Sequence, residues 1–276
     1  MSKNQEKRKW SSNSKRKNSL RKVAGKATTS KSKPVPLKDR LQKVYTTVNL
    51  ETTCDGRCEC CRVAMPQFNY CEFCQLINEI WDTTSRSDKI RLICTSIEYF
   101  FRNEFEKWGI DTLIKPCMLL GEDGKCMYYE SRPLSCRIYG LWPDDVYKER
   151  VDKFEKAYEG LLTRDEIPLN TQCPFVERVD NSVELTKEVI EDLYAKLDTI
   201  DKQIGDFTDA QMEQKENYRT FHDWLLLKIF GEDFLSELTS FMLAADKETI
   251  VAQLDALKTV ISEKFSKDMP DIRTKE

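Results

Sequence analysis

Eleven cysteines stand in this chain, and seven fall in two short pieces. The first, CDGRCECC, holds Cys54, Cys58, Cys60 and Cys61; the second, CMLLGEDGKCMYYESRPLSC, holds Cys117, Cys126 and Cys136. Cys71, Cys74 and Cys94 lie between them, and Cys173 lies beyond. A thiolate is a soft ligand. Four of them suit Zn²⁺ or an iron–sulfur cluster and fit Mg²⁺ or Ca²⁺ poorly. Ligands close in sequence help because the loop entropy between them is small. Cys58-x2-Cys61 and Cys71-x2-Cys74 each have the gap that lets a tight turn aim two sulfurs at one ion, and together they could form a small zinc ribbon. The crowding of Cys54, Cys58, Cys60 and Cys61 is denser than one ribbon needs. In an extended segment the adjacent Cys60 and Cys61 would point opposite ways, serving two centres or leaving one sulfur over.

The second piece has its own geometry. Met118-Leu119-Leu120 and Met127-Tyr128-Tyr129 flank Gly121-Glu122-Asp123-Gly124, which reads as a β-hairpin that sets Cys117 beside Cys126. Cys136 follows Arg132-Pro133, and the proline biases Arg132 towards extended backbone. Four thiolates on a divalent ion leave a local charge of about −2. Arg132 and Arg137 are placed in sequence to donate to those sulfurs from behind and offset that charge. Tyr128, Tyr129 and Tyr139 could wall the site from water. Cys94 falls on the apolar face of a helical pattern and reads as a small buried hydrophobe.

At these residues the sequence resembles the YkgJ-type cysteine-cluster family of zinc- or iron-chelating domains, known by its CxxCxxxxCC signature. Gly124-x-Cys126-x-Tyr128 followed by Arg132-Pro133-x-x-Cys136-Arg137-x-Tyr139 carries the match. Cys173-Pro174 matches the family's later Cys-Pro, and the resemblance implies that Cys173 is a ligand. Cys54-x3-Cys58-x-Cys60-Cys61 keeps the paired cysteines but departs from the usual internal spacing. The likeness covers residues 50–176 and implies metal binding without an assigned reaction. A related branch, the flagellin lysine N-methylases, implies iron–sulfur chemistry with S-adenosylmethionine. Cys54-x3-Cys58-x2-Cys61 has the radical-type spacing, but the chain shows neither a Gly-rich loop opening a helix nor a run of βα units.

The elements that must position these cysteines are mostly helical. Leu76, Ile77, Ile80 and Trp81 repeat at helical spacing, as do Ile90, Ile93, Cys94, Ile97, Phe100, Phe101 and Phe105, with Gly109 as the stop. A helix is expected over 144–162, with Asp144-Asp145 after Pro143 as its capping residues. Thr186 with Glu188 opens a helix over Val189 to Ile204. Thr208-x-x-Gln211 caps a helix carrying Phe221, Trp224 and Leu225 as far as Gly231. Two more follow, one with Phe234 to Phe241 and one from Asp246 that stops before Pro270. His222, the lone histidine, reads as facing solvent or packing on a helix.

The 276 residues are 40% hydrophobic and 33% charged, with a net charge of −3 that hides a split. Residues 1–40 hold fourteen Lys and Arg against two acids, and the rest holds thirty against forty-five. Residues 1–36 have almost nothing to bury and read as a disordered basic tail, an arm for nucleic acid or another acidic partner, or else a solubilising extension. No apolar run reaches the ~18 residues of a membrane span, and the N-terminus lacks the apolar core of a secretory signal. A cytoplasmic, reducing setting follows, in which thiols rather than disulfides are expected. The fold class expected is therefore mostly α with a small Cys-rich loop and β-hairpin metal core. Its parts are a metal-binding domain over 48–176 and a helical layer over 183–268 packed on it. The ligand set is Cys54, Cys58, Cys60, Cys61, Cys117, Cys126, Cys136 and Cys173, holding an iron–sulfur cluster or zinc. An iron–sulfur enzyme of redox or methyl-transfer type and a structural zinc protein with a nucleic-acid-binding tail are the alternatives.

Overall fold

Leu37, Leu41, Val44 and Tyr45 recur at helical spacing and are all buried in α1 (Leu37–Tyr45), the first element in the computed structural model. The structure describes residues 35–54, 59–63, 65–106, 116–157, 176–205 and 207–274. Residues 1–34 of the basic tail expected over 1–36, the Gly109 stop, the continuation of the 144–162 helix past residue 157, Cys58 and Cys173 lie outside them. Residues 35–276 form one compact unit.

After α1 come α2 (Glu59–Val63), β1 (Gln67–Asn69), α3 (Tyr70–Thr83) and α4 (Arg86–Glu106). A 3-10 turn (Tyr129–Ser131) precedes α5 (Leu134–Arg137) and α6 (Asp144–Ala157). The last third holds α7 (Lys187–Ile204), α8 (Asp209–Glu213), β2 (Tyr218–Thr220), α9 (Phe221–Phe230), α10 (Glu232–Ala244) and α11 (Lys247–Lys267). The protein is mostly helical, as the periodicity predicts. Among the described residues no helix is long and apolar enough to cross a membrane.

The helix starts follow local chemistry. Thr186 Oγ1 accepts from Val189 N at 3.4 Å, and Asp246 Oδ1 accepts from Thr249 N at 2.8 Å, satisfying N–H groups that a helix end otherwise leaves unpaired. Asp144 and Asp145 stand inside the first turn of α6, where their charge favours the helix start, and Asp145 Oδ1 accepts from the next residue's N–H at 2.9 Å. The Thr208–Gln211 capping box is present but opens only the short α8. β2 then intervenes, and Thr220 caps α9 separately. The single helix expected here is therefore two helices and a strand, because Tyr218–Thr220 pairs antiparallel with β1, Gln67 opposite Thr220 and Asn69 opposite Tyr218.

That pairing ties the two halves of the sequence together. Phe68, Phe73, Phe101 and Phe221 are fully buried. Phe221 meets Phe73 at 5.7 Å and Phe68 at 5.9 Å between ring centroids, within the range where aromatic pairs attract. Trp224 Nε1 donates to Phe68 O at 3.0 Å. α4 packs against both α9 and α11, and α1 against α3 and α7. The segments 48–176 and 183–268 thus interleave around one core.

A buried polar knot fixes the start of α3. The side-chain amides of Asn69 and Asn217 each donate to both Asp198 Oδ1 and Asp201 Oδ2, at 2.7–3.0 Å. Asp201 Oδ1 also accepts from Cys71 N at 2.7 Å. The last described residues lie along the far side of α3. Trp81 Nε1 donates to Pro270 O at 3.0 Å, Asn78 bonds both the N–H and the carbonyl of Thr274, and Ile272 is buried.

Candidate metal centre

The chain reaches the site from three directions. Cys54 closes a segment that pairs with residues 177–179: Thr53 N donates to Glu177 O at 2.9 Å and Val179 N to Glu51 O at 3.0 Å. Cys60 and Cys61 sit on α2. Cys117 and Cys126 flank the Gly121–Gly124 loop, and Cys136 sits on α5. The loop is hairpin-like, but its ladder is a single bridge between Leu120 and Cys126 rather than two strands. Gly121 N donates to Lys125 O at 2.7 Å and Met127 N to Leu119 O at 3.0 Å. Gly124 has φ +74°, the left-handed conformation that glycine adopts without a Cβ clash.

Cys54, Cys60, Cys61, Cys117, Cys126 and Cys136 line one pocket of about 500 Å³, its open mouth included. Phe68, Leu76, Leu119, Pro66 and Pro133 give it apolar walls, and Tyr128, Tyr129, Ser131 and Arg132 complete it. Every described cysteine of the ligand set expected from the sequence is therefore in one place. Cys58 and Cys173 lie outside the described residues. Among the described residues, however, no three His, Cys, Asp or Glu side chains already stand together as a metal-holding group. The nine described cysteines are thiols rather than disulfides.

Three cysteines belong elsewhere. Cys71 and Cys74 are fully buried on α3, and the Cys71 thiol donates to Leu197 O of α7 at 3.8 Å. The zinc-ribbon pairing of Cys58-x2-Cys61 with Cys71-x2-Cys74 is accordingly replaced: Cys71 and Cys74 belong to the helix core and do not line the pocket. Cys94 is buried against α11, its sulfur 3.7 Å from Ser262 Oγ, in keeping with the apolar-face reading.

The vicinal pair departs from expectation in an informative way. Residues 59–63 are helical, not extended, so neighbouring side chains diverge by ~100° rather than 180°. The Cys60 and Cys61 sulfurs are 3.9 Å apart, and both face the same pocket. Cys117 N donates to Cys61 O at 2.5 Å, joining the two cysteine-rich pieces through the backbone.

Crowding and burial raise the Cys60, Cys61 and Cys136 thiols when no cation is near. The hydrogen bond with Cys61, then burial, pushes the Cys60 thiol far above its ordinary range. The Cys117 thiol does the same to Cys61, with burial and the nearby Cys136 adding to it. Burial raises the Cys136 thiol, Cys60 and Cys126 raise it further, and Arg132 opposes them. A soft cation reverses the sign of every one of these repulsions, since it binds the deprotonated sulfur. The donor set fits Zn²⁺ or an iron–sulfur cluster, which thiolates hold in groups of four.

The arginines divide. Arg132 lines the pocket with its guanidinium 3.4 Å from the Tyr129 ring centroid and its Nε donating to Tyr129 O at 2.7 Å. It supplies the one positive side chain in the described wall. Arg137 points away from the pocket. It stacks on Tyr45 at 4.3 Å and donates to the carbonyls of Arg132 and Glu130, so it braces the α5 turn rather than meeting the sulfurs. Tyr128 and Tyr129 wall the site as expected, and Tyr139 does not line it. Tyr129 donates to Cys54 O at 3.2 Å, and burial together with Cys54 raises its phenol to about 12. His222 is buried in α9 with Nε2 3.2 Å from Thr220 Oγ1, which settles it as a helix-packing residue outside the pocket.

Sequence reasoning missed Glu72. Its carboxylate is buried behind the site and accepts from Leu134 N at 2.6 Å, Tyr45 Oη at 2.8 Å and Asn69 N at 3.1 Å. It thereby holds the start of α5, which carries Cys136, against α3 and α1. The local signal was Asn69-x-x-Glu72, a capping pattern directly before an apolar run. No family model, no curated protein and no solved structure matches this chain.

Proposed function

We propose that this chain is a metal-binding protein that holds zinc or an iron–sulfur cluster on clustered cysteine thiolates. The observation that carries the reading is the pocket shared by Cys54, Cys60, Cys61, Cys117, Cys126 and Cys136, drawn from two distant pieces of sequence. Apolar walls and a single arginine suit it to charge that arrives with a cation. Cys58 belongs to the same short piece as Cys60 and Cys61. The test is anaerobic purification followed by a visible spectrum and analysis of iron, zinc and acid-labile sulfide. Brown protein with iron and sulfide supports a cluster, and colourless protein with stoichiometric zinc supports the mononuclear form. A chain that binds neither after reconstitution refutes the proposal.

A further inference from the structure

Two sulfurs bound to one tetrahedral ion at ~2.3 Å each stand ~3.8 Å apart. Cys60 and Cys61 already lie at that separation, 3.9 Å, on one turn of α2. Resting on the metal-binding reading above, we propose that Cys60 and Cys61 bind the same ion as an adjacent chelating pair. Cys117 supplies the third sulfur, and another thiol of the pocket fills the fourth position. Cys117 is chosen because its N–H donates to Cys61 O at 2.5 Å and because both residues are buried in the pocket wall. The Cys117 thiol lies 3.8 Å from Met65 Sδ and would turn from it to complete the bond. Rotating a cysteine from one χ1 well to the next carries its sulfur ~3 Å.

The pairing selects among metal species. In a four-iron cubane each iron takes a single cysteine, so ligands to different irons cannot be drawn to one tetrahedral edge. A single ion such as Zn²⁺, or one iron of a two-iron cluster, takes two thiolates at that edge. The pair therefore assigns the site to ions that each carry at least two cysteines, and it excludes a cubane bound through both Cys60 and Cys61. It also turns a vicinal cysteine pair, which an extended chain would split between two centres, into one chelate.

The experiment is anaerobic cobalt(II) titration of the full chain and of its Cys60→Ser, Cys61→Ser and Cys94→Ser variants. Sulfur-to-cobalt charge transfer counts bound thiolates. Cys60→Ser and Cys61→Ser should each lose about a quarter of that intensity and bind cobalt at least ~10-fold more weakly, while Cys94→Ser matches the wild type. If either pair variant keeps full intensity and affinity, the shared ion is refuted. A second arm needs no variant. Alkylation of the unmodified chain with and without zinc, read by tandem mass spectrometry, should show metal-dependent protection of Cys60, Cys61 and Cys117 together. Continued reactivity of one member of the pair overturns the inference, as does four-iron stoichiometry with both protected. If the wild type takes up no cobalt, zinc or iron, the underlying metal-binding reading has failed instead.

Discussion

Glu72 is the residue whose environment makes the sharpest claim about solution behaviour. Burial raises its carboxyl from 4.5 to about 7, against the lowering effect of its three donors. Between about pH 4.5 and 7 the folded protein keeps a proton that the unfolded chain has lost. The stability this confers is full below pH 4.5 and is lost as pH rises through 7. Its size is on the order of 3 kcal/mol. Glu72→Gln cannot ionise, so urea unfolding at pH 5, 6, 7 and 8 should show the wild type losing stability relative to the variant as pH rises. Parallel curves would remove Glu72 as the source. At this scale the sequence was readable wherever a side chain's chemistry is fixed by type. The thiols that gather are the ones whose number and crowding marked them as ligands. The orientation of Cys60 against Cys61 was not readable, because it depends on whether five residues are helical, and a run that short carries no periodicity. Arg137 was misplaced for a related reason: its direction is set by Tyr45, which comes from a distant element.

Among the elements, α7 and α3 are held in register by the knot of Asn69, Asn217, Asp198 and Asp201. Burial raises the Asp201 carboxyl, while the amides and Cys71 N stabilise its charged form. Asp201→Ala removes three buried hydrogen bonds, leaving Cys71 N without its acceptor and the Asn69 and Asn217 amides with Asp198 alone, and should cost about 3 kcal/mol in chemical denaturation. Thr199→Ala, on the exposed side of the same helix, should stay within about 0.5 kcal/mol. Equal effects would mean that the knot contributes nothing. α3, α4, α7, α10 and α11 were all legible, because each repeats its apolar residues at helical spacing over six or more positions. β1 and β2 were not, since strands of three residues exist only through their mutual pairing. α1 escaped as well: Lys38, Arg40 and Lys43 on its outer side continue the basic composition of the tail and mask the buried Leu37, Leu41, Val44 and Tyr45. The hairpin reading of 117–129 placed the loop and its glycines correctly but overstated the ladder.

For the whole molecule, the basic tail and the acidic remainder invite a separate test. The core of the described structure begins at Leu37. Removing residues 1–34 should leave the unfolding midpoint unchanged and abolish salt-sensitive retention on a DNA column. For every phosphate that the shortened chain no longer neutralises, the salt slope should fall by ~0.9. Unchanged retention would remove nucleic acid from the account, and a lowered midpoint would show the tail to be part of the fold. The aromatic and aliphatic core around Phe68, Phe73, Phe101 and Phe221 extends well beyond the pocket, which it meets at Phe68, Cys61 and Cys117, and β1–β2 closes it through backbone pairing. Small zinc modules have no such core and collapse only around their ion. Here the described core is large and continuous without any ion in it. On the metal-binding proposal, an ion would therefore be a late addition to a finished scaffold, and a chelator should strip it without unfolding the chain.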